Sequence, residues 1–146
     1  MKVIRRASLR EPKRPGAALV EFAVILPLFL LLLGGIIEFG QAFRISHGLS
    51  NAARRAARAA IMDKATASHV TAIAENQCES MLGVNSADAT VTITLNGQPT
   101  GSLTSAVQGD AIGVTVSIPF QKAGAGFYCN LFSEKNLSST CVLERE

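Results

Sequence analysis

The chain has 146 residues, a positive mean hydropathy and a formal net charge of +3, with no Trp and one Tyr. That is enough for one domain plus an anchor, and it offers no basic, aromatic-studded face for nucleic acid. Three cysteines, Cys78, Cys129 and Cys141, include no Cys-x-x-Cys pair, which argues against a zinc site or a thioredoxin-like redox motif.

Residues 1–16 read as a basic leader. Lys2, Arg5, Arg6, Arg10, Lys13 and Arg14 stand against Glu11, a net of +5. Apolar periodicity is absent, and Pro12 and Pro15 break the stretch. Gly16 follows Pro15 directly, so the peptide there is expected to be extended and accessible.

Ala17 opens an apolar run. Between Glu21 and Glu38 no side chain is charged or strongly polar. With residues 17–20 the run is about twenty residues, roughly what a helix needs to cross a bilayer. In lipid the backbone must satisfy its own hydrogen bonds, so 17–38 is expected to be a transmembrane helix. Glu21 is the oddity, because a carboxylate in such a run costs about a few kcal/mol if deep. Pro27 lacks an N–H and crowds the preceding turn, so a kink is expected there. Gly34 and Gly35 add a second soft point. The basic leader puts the N-terminus in the cytoplasm by the positive-inside rule and the remainder in the periplasm or outside a bacterium.

The helical pattern continues through 39–62. Phe39, Ala42, Phe43, Ile45, Leu49, Ala52, Ala53, Ala56, Ala57, Ala60 and Ile61 recur at spacings of three and four. Gln41, Arg44, His47, Asn51, Arg54, Arg55 and Arg58 fall mainly between them. The alanines make a narrow face suited to close packing, either under the chain's own domain or against other subunits.

Residues 63–146 read as a small α+β domain. Val70, Ile73, Ala74, Gln77, Cys78, Met81 and Leu82 share one helix face over 66–82, and Gly83 is a plausible C-cap. The period then changes to two. Val91, Ile93 and Leu95 alternate with threonines, and Asn96-Gly97 signals a turn. Ile112, Val114, Val116 and Ile118 alternate again up to Pro119. Leu137, Cys141 and Leu143 mark a third strand over 137–145. The segments 97–110 and 120–136 read as loops. The fold class is α+β: a long N-terminal transmembrane and amphipathic helix, a short second helix and a small antiparallel sheet.

Nothing here points to catalysis. His47 and His69 are isolated, and the acids of the sheet domain show no paired spacing. No phosphate-cradling loop and no Gly-x-Ser-x-Gly is present. No cofactor and no metal are expected. Arg54, Arg55 and Arg58 suit a solvated helix face or one paired with a neighbour's acids; anionic lipid or nucleic acid is the lesser reading. Cys129 and Cys141 bracket a short segment whose closure contributes about 2–3 kcal/mol in the chain-entropy model. Their disulfide is expected, with Cys78 a buried free thiol on its helix.

Three readings compete at the N-terminal junction: a signal anchor, a secretory signal peptide cut after Gly40-Gln41-Ala42, and a prepilin-type leader. The third accounts together for the basic leader ending in Gly16, the apolar run after it and an acid at the fifth position from Ala17. Pro15 to Pro27, then Glu38-Phe39-Gly40 and Asn51 to Arg58, resemble the TadE-like pseudopilins of tight-adherence (Flp-type) pili. Gly109 to Pro119 and the closing Cys141 to Glu146 resemble that family more loosely. The resemblance implies cleavage between Gly16 and Ala17 by a prepilin peptidase and a role for Glu21 and Phe22 in processing and assembly. It also implies other pilins, and the pilus assembly machinery in the inner membrane, as partners. Major pilins of these systems usually carry Tyr after the key Glu; Phe22 and the added α+β domain point to a minor component. The expected protein is a structural subunit and not an enzyme, single-pass in the bacterial inner membrane. The alternative is a bitopic envelope protein that keeps its leader and presents the α+β domain for binding.

Overall fold

A computed structural model describes residues 15–123 and 134–145. The chain divides into two compact units, Met1–Leu33 and Gly34–Glu146. Residues 1–14 of the leader, the segment 124–133 with Cys129, and Glu146 lie outside the described residues.

Helix α1 spans Pro15–Ala60. It starts two residues earlier than expected, so Gly16 lies in the first turn and not in an extended peptide. A proline suits the first helical position because its fixed φ is already helical and its missing N–H would have no partner there anyway. Pro27 lies inside α1, which continues on both sides of it.

In the first unit the described part of α1 is exposed throughout, including Leu19, Val24, Leu28 and Leu31 at 65–72%. In water such a surface would be strongly unfavourable, at roughly 25 cal/mol per Å² of apolar area. Length and apolar composition suit it to crossing a membrane.

The second unit builds one core from α1, helix α2 (Ala67–Leu82) and a sheet. Thr66 caps α2, its hydroxyl accepting from the His69 N–H at 3.4 Å. Gly83 closes α2 in the left-handed conformation, φ 67°, with its N–H on the Glu79 carbonyl. Val70, Ala74, Cys78 and Leu82 are the buried stripe of α2. That corrects the expected face: Ile73 and Gln77 are half-buried and Met81 is exposed. A strict i, i+4 row won over the broader three-and-four pattern.

The sheet is antiparallel, in the order β2-β1-β3-β4, from β1 (Thr90–Leu95), β2 (Gln98–Pro99), β3 (Ala111–Pro119) and β4 (Asn136–Glu144). Asn96 (φ 50°) and Gly97 (φ 82°) turn β1 into β2. Positive φ at both positions suits the right-handed twist of a two-residue hairpin. The region read as a loop from residue 97 therefore begins with a short strand. A turn at Ser86–Asp88 and a four-residue helix, α3 (Phe120–Ala123), were likewise not expected. Both are too short to show a period.

Ile112, Val114, Val116 and Ile118 are fully buried. Each stabilises by about 1.5–3 kcal/mol relative to exposure. The alanines 52, 53, 56, 57 and 60 are also fully buried. The small-residue stripe is thus covered by the chain's own domain. Ser50 Oγ of α1 meets Ser139 Oγ of β4 at 3.0 Å. Gly113 on β3 sits opposite Thr94, whose Oγ1 occupies the space a Cβ there would need.

The end of β4 ties the fold together. Arg145 pairs with Asp63 at 3.0 Å and donates to the Ala106 carbonyl at 3.0 Å. Asp110 accepts from the Asn96 amide and the Val107 N–H, both at 2.8 Å. Those donors, Asn96 first, hold its carboxyl below the ordinary range.

Candidate functional site

The residues singled out at the N-terminal junction all lie on α1 in the first unit. Gly16 is exposed, and a Cβ built on it meets nothing within 4 Å. Ala17 and Glu21 are exposed as well, and Phe22 is 62% exposed. Glu21 stands four residues after Ala17, roughly one helical turn. It is the only charged side chain from residue 15 to residue 37. The structure therefore keeps this carboxylate on an otherwise apolar, exposed helix. Among the described residues of the first unit, none buries it.

The other acid of the helix behaves differently. Glu38, in the second unit, is 4% exposed. It shares a face with Ile45, Leu49 and Ala52, which are fully buried. The seven-residue spacing 38, 45, 52 was the available signal for this face. Phe39 and Phe43, expected within the apolar stripe, are 51% and 65% exposed and stand on the opposite side with Ile36. Periodicity cannot tell a face turned to a protein core from one turned elsewhere, since both are apolar. Side-chain size fits the outcome: Gly48 admits Leu82 of α2, and Ala52 and Ala56 on the same face are fully buried, where phenylalanine rings would need more room.

Among the remaining candidates, Cys78 is buried, and its thiol is pushed up to about 11, mainly by burial and then by Glu75. Cys141 is half-buried on β4 opposite Val114; its expected partner Cys129 lies outside the described residues. His47 and His69 are exposed. Arg54, Arg55 and Arg58 border a groove between α1 and α2 with Gln77 and Met81, about 360 Å³ in volume. Arg55 donates to the Gln77 side-chain carbonyl at 2.5 Å.

Residues 16–58 match the family model of the TadE-like protein. That segment is similar to the TadE-like proteins of Tad pilus systems. It covers the apolar run and the basic continuation of α1, and it ends before α2 and the sheet. No curated protein and no solved structure matches the chain. One N-terminal apolar helix fits a single-pass membrane protein.

Proposed function

We propose that this chain is a minor pilin or pseudopilin of a tight-adherence pilus. In this reading it is made with the basic leader 1–16, inserts with its N-terminus in the cytoplasm, and is cut between Gly16 and Ala17 by a prepilin peptidase. The mature helix 17–38 then packs among other pilins at the inner membrane, and the domain after it lies on the periplasmic side.

The observation that carries this reading is a single carboxylate, Glu21, on an exposed apolar helix four residues after Ala17, within a TadE-like segment. Cleavage creates an α-amino group on Ala17. A carboxylate one turn away, about 6 Å along the axis, can neutralise that amine in its own chain or in an adjacent subunit. In a low-dielectric bundle the attraction exceeds its value in water, with desolvation offsetting part of it. An unpaired charge would be costly, so the pair favours one register of packing.

The test is the N-terminus of the mature protein, mapped by mass spectrometry from cells that have the peptidase. Ala17 is the expected first residue. Met1 would mean a bitopic protein that keeps its leader, and Phe43 a secreted one.

A further inference from the structure

We propose that the exposed arginine face of α1 docks the glutamate flank of α2, with Glu79 exposed and Glu75 half-buried, on a second copy of this chain. Residues 39–62 carry Arg44, Arg54, Arg55 and Arg58 with no acid, a net of +4. Residues 63–146 carry eight acids against four bases, a net of −4. The chain therefore separates its charges along its length.

Among the described residues, the charges of the two helices do not neutralise each other. Among the described residues the ion pairs are Lys122–Asp88 and Arg145–Asp63. Arg54 and Arg58 enter neither, and neither do Glu75 and Glu79. Arg54, Arg58 and Glu79 are exposed and Glu75 is half-buried. Each pair has i, i+4 spacing, so its members share a helix face about 6 Å apart. Two cations one turn apart match two anions one turn apart.

The positions of the faces fix the kind of contact. Gln77 and Met81 of α2 border the arginine groove. Glu75 and Glu79 lie on the other flank of α2, Glu79 roughly 160° round the helix from Gln77 at 3.6 residues per turn. The basic and acidic faces thus look away from each other and cannot meet within one chain. Complementary patches on different sides of a molecule make a heterologous, head-to-tail contact, which repeats from copy to copy. The contact involves the second unit alone and does not depend on leader processing, so its failure would leave the cleavage reading untouched.

The experiment is sedimentation velocity of the full-length chain in detergent micelles at low salt. The wild-type chain is expected to associate with concentration, and less so as salt rises. Arg54→Glu with Arg58→Glu is expected to weaken that association about tenfold, and Glu75→Lys with Glu79→Lys by a similar factor. Mixing the two reversed proteins, or placing all four changes in one chain, is expected to restore it. Unchanged thermal unfolding of each variant checks that the fold is kept; Arg55, bonded to Gln77, is left in place. A wild-type chain that does not associate overturns the proposal, as does a four-fold reversal that fails to restore association. Arginine reversal that abolishes co-sedimentation with phosphatidylglycerol vesicles but leaves self-association intact assigns the face to anionic lipid, and also overturns it.

Discussion

Gly48 of α1 and Leu82 at the end of α2 fit each other through a missing side chain. A Cβ at position 48 would stand 2.6 Å from Leu82 Cδ2 and 3.0 Å from Cγ. Both residues are buried. Gly48→Val is expected to destabilise the domain by about 1–3 kcal/mol through overpacking. Gly48→Ala should cost less, because alanine recovers about 1 kcal/mol of helix propensity and the Leu82 tip can swing. Thermal or chemical unfolding of the full chain in detergent reads both. Adding Leu82→Ala to Gly48→Val should relieve part of the loss; strictly additive effects would show that the two do not interlock.

The junction gives a sharper prediction. Gly16 is exposed, with open space where a Cβ would be. A glycine before a scissile bond allows close approach of a protease backbone. Gly16→Ile is therefore expected to accumulate as the 146-residue precursor in cells that have the peptidase. Normal processing, seen on a gel beside the wild type, would reject the leader reading.

Glu21→Gln separates assembly from insertion. The variant loses a charge from an apolar helix, so membrane insertion should be undiminished. Cleavage after Gly16 should proceed. Co-purification with other pilins and piliation are expected to fall sharply, since the Ala17 amine would lack its counter-charge. Wild-type piliation with normal processing would mean that Glu21 only marks the membrane boundary.

The thiols carry a pH signature. Burial and Glu75 raise Cys78 from 9.0 to about 11, so the folded state favours the neutral thiol. The sign follows from linkage: this contribution is fully present below about pH 9 and is lost as pH rises toward 11. Cys78 should resist alkylation at pH 8 in the folded chain and react on unfolding, because the thiolate is the nucleophile. Cys78→Ala should flatten the stability loss between pH 9 and 11. We further expect the disulfide of the mature chain to join Cys129 to Cys141. A non-reduced digest that links Cys78 to either one would overturn both statements.

The apolar run, the 3.6-residue period and the twofold alternation are local properties. They were sufficient for α1, α2, β1, β3 and β4 to within about two residues at each end, and for an α+β class. The Asn96-Gly97 turn was legible because only a few residue types accept positive φ at both positions. The short partner strand Gln98–Pro99 was not legible, since two residues make no pattern and its ladder depends on β1.

Which face of α1 is buried was a tertiary decision. Phe39 and Phe43 look more hydrophobic than Glu38 and Gly48, yet the structure buries the latter pair. Close packing against α2 and the sheet rewards small side chains and complementary shape, and hydropathy along the chain contains neither. The placement of the arginines and of Glu75 and Glu79 on opposite flanks is of the same kind. Their charges are in the sequence, but the directions they face come from how two helices cross, and that is set by the side chains between them.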